Sequence, residues 1–446
     1  MEFYFLDKGG REIKRFIILI TLISFMNFGL PSSTNATPTS IQELIDKAEP
    51  GDTIEVIEGE YQENIVIDKP LKIIGSNNVE LTSQGTEPAI QIESDDVMLE
   101  NIKVKHINKE NSSSAILIKA DHNVLSQLQI ETVSYGIQLD EADHNTLSNI
   151  KIIGAKEESI MNRKHGLDLW KSHNNTIYNI NIEYVQDGIY VERSNENKIL
   201  DSTITKSRYG IHLMFTKKTK LHANESYENI SGIYIMGAEK TVVKNNIVRN
   251  NQKNVQSLGI LVFDTADAQV IENNILYNRI GILIESAEDN DINLNQIQEN
   301  YIGVQFKDSK NNRINNNSFI ANVVPGQMNQ SSKNNMDENF WGDHLGIDIT
   351  GNNKSDLKYK IDPFFLELTN EFPSFQLLFQ SPGLYFLEQL FHTPKEEQLI
   401  DNSPLMENPI VISKEQEAIY QVTALGFSIL LLIVSMSIIY MGVKER

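Results

Sequence analysis

Three stretches, Gly188-Ile-Tyr-Val-Glu192, Gly210-Ile-His-Leu-Met214 and Gly232-Ile-Tyr-Ile-Met236, repeat one pattern, a glycine followed by alternating apolar and variable residues, at intervals of 22. The same pattern opens at Gly136, Gly166, Gly259, Gly281 and Gly303, so the successive spacings from Gly136 are 30, 22, 22, 22, 27, 22 and 22. Two weaker copies, Ala89-Ile-Gln-Ile92 and Ala115-Ile-Leu-Ile118, carry alanine in place of the glycine. A period in this range marks a solenoid, and alternation at period two makes each unit a strand.

Every repeat also holds a second short strand of the form Asn-x-Ile, as in Asn175-Thr-Ile177, Asn197-Lys-Ile199, Asn245-Asn-Ile247 and Asn273-Asn-Ile275. A third piece such as Ile180-Asn-Ile182 often follows. Three short strands per 22 residues build one triangular coil of an all-β parallel β-helix. Stacking the coils about 4.8 Å apart would align apolar residues into a continuous core and asparagines into ladders at the turns. A four-stranded propeller blade needs roughly 40 residues or more, which argues against that alternative.

The expected organisation is a signal peptide over 1–36, β-helix repeats over 37–333, a C-terminal cap region over 334–391, a linker over 392–417 and a transmembrane anchor with a short cytoplasmic tail over 418–446. Lys14 and Arg15 precede an apolar run from Phe16 to about Leu30 and small or polar residues up to Ala36, the layout of a secretory signal. An apolar run from about Val422 to Val443, followed by Lys444 and Arg446, is long enough to cross a bilayer with the C-terminus inside and the β-helix outside. At the start of the β-helix, Ser40-Ile-Gln-Glu43 is a capping-box sequence, and Ile41, Leu44, Ile45 and Ala48 predict a short helix over the first coil. Asn339-Phe-Trp-Gly-Asp343 and the apolar stretch Phe372–Phe391 are placed to close the other end. The stretch 392–417 lacks periodicity and reads as a tether.

The formal net charge is −21, and removing residues 1–36 leaves −22. Such a surface repels nucleic acid. Without a single cysteine the chain has no disulfide, no thiolate ligand and no thiol nucleophile.

In each glycine-led strand the apolar residues point inward and the variable ones outward. The outward pairs, coil by coil, are Gln138/Asp140, Asp168/Trp170, Tyr190/Glu192, His212/Met214, Tyr234/Met236, Leu261/Phe263, Leu283/Glu285 and Gln305/Lys307. His212 and Met214 share a strand, and Met236 falls one coil above Met214. Imidazole plus thioether suits Cu(I) where cysteine is absent, so His212, Met214 and Met236 are the candidate metal ligands of a transient site on an exposed sheet with no second shell around it. The same stripe also suits a docking surface. A second set, His122, His144 and His173, is expected to share one turn position, either as a Cu(II) or Zn(II) site or as ordinary turn residues. Asp168 and Glu192, one coil apart, resemble the paired carboxylates of a carbohydrate-active enzyme, a polysaccharide lyase, epimerase or hydrolase. The stripe lacks the clustered lysine and arginine that such an enzyme uses to hold a charged sugar.

Gly210-Ile-His-Leu-Met-Phe215, Gly232-Ile-Tyr-Ile-Met-Gly237, Asn339-Phe-Trp-Gly-Asp343, Pro363 and Ser381-Pro-Gly383 resemble the NosD family of exported maturation factors for nitrous oxide reductase, over roughly residues 40–391. The resemblance implies a right-handed, non-catalytic parallel β-helix. It further implies partners: an ABC transporter permease and ATPase, a copper chaperone lipoprotein and nitrous oxide reductase, whose copper–sulfide centres would receive the copper. Only His212, Met214 and Met236 match positions tied to copper, and the anchor lies outside the matched region.

Overall fold

The computed structural model describes residues 40–83, 86–107, 113–361 and 398–410, with a few single residues in 368–383 and Leu431 and Ser435. Among the described residues no helix is long and apolar enough to cross a membrane. The signal peptide expected over 1–36, and the span expected over 422–443 apart from Leu431 and Ser435, lie outside the described residues.

The glycine-led strands stack as one 12-stranded parallel sheet running from Ile65–Ile67 to Val324–Asn329. The other two strands of each coil join into a 23-stranded sheet. Two eight-residue strands, Thr146–Ile153 and Thr176–Glu183, run through the corner between those faces and fuse them. The coil is therefore three-sided, as the repeat predicts. Register follows the sequence period: Ile189 pairs with Ile211, Ile211 with Ile233 and Ile233 with Ile260, and all four are buried.

The glycines that mark the repeat sit where the chain bends into the sheet. A Cβ on Gly188 would lie 2.2 Å from Cγ2 of Ile204 and 2.5 Å from the carbonyl oxygen of Gly210. The corners are closed by left-handed residues at recurring positions, for example Glu196, Lys218 and Lys240, or Asp201, Ala223 and Asn245. Beside them, asparagines form buried ladders. Oδ1 of Asn246 accepts from the backbone N–H of Asn224, and Asn273, Asn295, Asn317 and Asn339 continue the series one coil at a time. Each ladder asparagine thus satisfies backbone groups that the sheet leaves unpaired at the turn.

A helix over Ile41–Lys47 covers the first coil with Ile41 and Ile45 buried. Ser40 accepts from the N–H of Glu43, as the capping box predicts. The Glu43 side chain pairs with Lys47 rather than reaching back to the cap, and Glu63 of the first coil accepts from the next two N–H groups, those of Ile41 (2.7 Å) and Gln42 (3.2 Å).

At the far end Phe340–Trp341 forms the last rung, and the Trp341 ring stacks between Phe319 and Tyr359 at centroid distances of 4.3 and 4.7 Å. The expected closure by Phe372–Phe391 lies almost wholly outside the described residues. The linker expected over 392–417 requires correction. Its residues 398–410 are part of the cap: Leu399–Asp401 pairs antiparallel with Tyr359–Ile361, and Leu399 and Asp401 are buried. Its composition reads as a tether because little apolar burial, chiefly Leu399, is needed to dock a segment that draws its remaining support from backbone hydrogen bonds, such as Leu405 N–H to Asn339 O.

Candidate functional site

The outer face of the 12-stranded sheet carries three columns of side chains. Two are the outward positions read from the sequence. The third is the residue before each glycine, Tyr135, His165, Asp187, Tyr209 and Ser231 on successive coils. The bend at the glycine breaks strict alternation, so these residues also reach the outer face. Period-two counting across the glycine misses them; the recurrence of Tyr, His, Asp and Tyr at one repeat position was the available signal.

Asp187 lies at the centre with no exposed surface. Nε and Nη2 of Arg208 donate to its Oδ1 and Oδ2 at 2.8 and 2.7 Å, a bidentate pair. Nδ1 of His212 lies 3.0 Å from Oδ2, and Nδ1 of His165 lies 3.9 Å from the same oxygen. Burial alone would push the Asp187 carboxyl up, but the hydrogen bonds from His212 and Arg208 outweigh it and hold the carboxyl below its ordinary value.

Aromatic rings enclose His212. Tyr190, Tyr209 and Tyr234 stand edge-on to its imidazole at centroid distances of 5.0, 5.1 and 5.9 Å, and Tyr209 stacks on Tyr234 at 4.0 Å. Burial pushes the Tyr234 hydroxyl up to about 12. The guanidinium of Arg208 lies over Tyr209 at 4.5 Å. His212 is consequently only 6% exposed. The expected exposed ligand with nothing around it is therefore corrected: the side chain leaves the coil outward, as parity requires, but lies beneath tyrosines from its own and both neighbouring coils. Its Nε2 is buried and has no hydrogen-bond partner among the described residues.

Met214 and Met236 are register partners on adjacent strands, as His212 and Tyr234 are. Both methionines are partly exposed. The Tyr190 hydroxyl lies 2.7 Å from Oε2 of Glu192 and 3.2 Å from Sδ of Met214. Its single proton goes to the carboxylate, the stronger acceptor.

The acidic side of the site lies toward the N-terminal coils. Burial pushes the Asp168 carboxyl up to about 6; the hydrogen bond from Gln138 opposes this and the charge of Glu192 adds to it. Burial drives His165 the other way, down to about 4, so its ring, stacked on Tyr190 at 4.7 Å, is neutral near neutral pH. Asp168 is the register partner of Tyr190, and Glu192 that of Trp170, which places the two carboxylates diagonally across adjacent rungs.

His122, His144 and His173 do not share one turn position. The 30-residue coil shifts the register, so that Thr146 pairs with Thr176 and the position of His144 is taken by Asn174. His122, His144 and Asn174 all have left-handed backbone, with φ of 60°, 59° and 57°. His122 and His144 stack at 5.1 Å, while Nδ1 of His173 accepts from the backbone N–H of Asn195. Among the described residues no group of three or more His, Cys, Asp or Glu side chains is placed to hold a metal ion.

A family model described as periplasmic copper-binding protein (NosD) matches residues 150–356, which contain the residues of this cluster except Tyr135 and Gln138, and a right-handed β-helix model matches residues 73–226. Over residues 150–356 the chain matches the NosD family, and the β-helix match supports that assignment. The match agrees with the resemblance drawn from Gly210–Phe215 and Gly232–Gly237, which it contains, and the second match gives the coil its right hand.

Several solved structures share the solenoid. The A-module of mannuronan C-5 epimerase AlgE6 from Azotobacter vinelandii is 14% identical over 67% of this chain and 87% of its own, with a TM-score of 0.46. The AlgE4 A-module from the same organism is 13% identical over 66% and 94%, also at 0.46. A PL6 alginate lyase in complex with a trisaccharide is 12% identical over 63% and 82%, at 0.43. At such identities the likeness concerns the fold alone. No curated protein matches the sequence.

Proposed function

We propose that this NosD-family chain handles copper outside the membrane as cargo, taking Cu(I) on Nε2 of His212 with the thioethers of Met214 and Met236, and passing it on. One observation carries the reading. A buried imidazole nitrogen without a partner sits on the strand whose next outward residue, Met214, is in register with Met236. Leaving such a nitrogen unpaired costs about 1–3 kcal/mol, an expense that a ligand would remove. Imidazole and thioether are soft enough for Cu(I) and, lacking thiolate, weak enough to release it. Partial exposure of both methionines leaves room for a donor or acceptor protein to complete the coordination.

In this reading the chain is a non-catalytic maturation factor for nitrous oxide reductase. It receives copper from a copper chaperone lipoprotein, works with the permease and ATPase of an ABC transporter, and assists assembly of the reductase's copper–sulfide centres. It is exported and held to the membrane by the segment 422–443, with the C-terminus cytoplasmic.

The competing reading, a carbohydrate-active enzyme, draws on Asp168, Glu192, Tyr190 and His165. Against it stands Arg208, whose guanidinium is committed to Asp187 rather than free for a sugar carboxylate.

The test is a Cu(I) competition titration of the full chain against a His212→Ala/Met214→Leu/Met236→Leu variant. Leucine keeps the apolar volume, so packing is preserved. The parent is expected to bind one Cu(I) and the variant to lose it. Equal binding would leave the stripe as a docking surface only.

A further inference from the structure

Asp187 is a buried carboxylate between two imidazoles, His212 and His165, whose Nε2 and Nδ1 respectively are buried without a hydrogen-bond partner among the described residues, and it lies beneath the tyrosine enclosure of His212. Asp187 is the only charged residue in its column on the 12-stranded sheet among the coils from Tyr135 to Val324, apart from His165 when protonated; elsewhere that position holds Tyr, Ser, Leu, Ile or Val. A carboxylate with no solvent contact is costly unless its oxygens are occupied. Here Oδ1 takes one hydrogen bond from Arg208, and Oδ2 takes a second from Arg208 and a third contact from His212. The arrangement fixes the carboxylate before any ligand arrives.

We infer that Asp187, clamped by Arg208, is a positioning residue that holds the neutral His212 ring in the tautomer with its proton on Nδ1, leaving the Nε2 lone pair free for a ligand. The physical reason lies in the donor and acceptor inventory. An ionised carboxylate only accepts, so the ring nitrogen 3.0 Å from Oδ2 has to be the donor. A neutral imidazole carries one N–H, and placing it on Nδ1 makes Nε2 the acceptor. That is the polarity of a ligating histidine whose other nitrogen donates to a carboxylate, which orients the ring and raises its basicity.

Two features make this more than packing. Arg208 engages both carboxylate oxygens and also lies 4.5 Å over the ring of Tyr209, one of the tyrosines that enclose His212. The guanidinium thus fixes the carboxylate and one wall of the enclosure together. His165, the other imidazole near Oδ2, stands 3.9 Å away, beyond hydrogen-bond reach, so Asp187 orients one ring and not both. The inference rests on the copper reading for what the lone pair is for, but the tautomer itself can be read without copper.

The experiment labels the full chain with ¹⁵N-histidine and records long-range ¹H–¹⁵N correlations of the metal-free protein, with His212→Gln assigning the ring. The parent should show a pyrrole-type Nδ1 and a pyridine-type Nε2 at His212. Asp187→Asn keeps the shape but offers both an acceptor and a donor, and should convert the ring to a mixture or to the opposite tautomer. Arg208→Gln leaves Asp187 in place and removes the clamp together with the contact to Tyr209, so it should loosen the same pattern even if Asp187→Asn folds poorly. Cu(I) competition on the same proteins should then show about a 10–100-fold loss in Asp187→Asn. If the parent ring carries its proton on Nε2, or if Asp187→Asn keeps the parent pattern, the inference is overturned. A changed tautomer with unaltered copper affinity would also overturn it, as a role in ligand positioning. A changed tautomer in a chain that never binds Cu(I) supports the control by Asp187 and sinks the copper reading alone.

Discussion

The indole Nε1 of Trp341 donates a 2.9 Å hydrogen bond to Oδ2 of Asp401, 60 residues further along the chain. The same buried carboxylate accepts from the backbone N–H groups of Asn339 at 2.9 Å, Glu338 at 3.1 Å and Ser403 at 3.0 Å. One side chain thereby closes the last rung, where a solenoid would otherwise present an open edge.

Asp401→Ala is expected to leave these donors unpaired and lower stability by about 3 kcal/mol. The emission of Trp341 should shift to the red as water reaches the indole. In a Trp170→Phe background Trp341 is the sole reporter, because the chain has two tryptophans. Unchanged emission and an unchanged urea midpoint would show that residues 398–410 do not cap the helix.

Asn273→Ala should be nearly as damaging. Its Oδ1 accepts from the backbone and side-chain amides of Asn246, and its Nδ2 donates to Val243 O and to Oδ1 of Asn295. Removing it strands groups on two neighbouring coils, for an expected loss of about 3 kcal/mol by chemical denaturation. A loss below about 0.5 kcal/mol, the range of an ordinary surface substitution, would mean that the ladder is ornamental.

Leu213 is completely buried between the outward residues His212 and Met214. Leu213→Asp should fail to fold, because it buries an unpaired charge. Met214→Leu should melt within a few degrees of the parent. If Leu213→Asp folds normally, the inside and outside of this strand have been exchanged.

Asp168 and His165 give opposite pH dependences. The folded carboxyl of Asp168 is raised from 3.8 to about 6, so its favourable contribution is full below about 4 and is lost as pH rises through about 6. Asp168→Asn should therefore be about 3 kcal/mol more stable than the parent at pH 7, with the advantage gone near pH 4. His165 is lowered from 6.5 to about 4, so its contribution is full above about 6.5 and is lost as pH falls toward 4. With Asp168 removed, that rise in stability with pH should stand alone. Urea unfolding at pH 4, 5.5 and 7 checks both signs, and a pH-independent difference would sink the argument.

Much of the molecule was legible in the sequence because its contacts are periodic. When Ile189, Ile211 and Ile233 recur every 22 residues, stacking is the arrangement that buries all three, and the pairing of Met214 with Met236 follows from the same count. The sequence determined the three-sided coil, the asparagine ladders, the helical cap at Ser40 and the outward direction of His212. Only the tertiary structure decided what is not periodic. Asp187 and Arg208 meet through side-chain reach across coils and a bend at glycine, so no spacing rule announces them. The 30-residue coil moves His173 out of line with His144, and residues 398–410 return to the last rung through contacts that leave no repeat in the sequence. The burial of His212 belongs to the same class: local alternation sets which way a side chain leaves its strand, but whether water reaches it depends on Tyr190, Tyr209 and Tyr234, whose long rings fold over the imidazole from three successive coils.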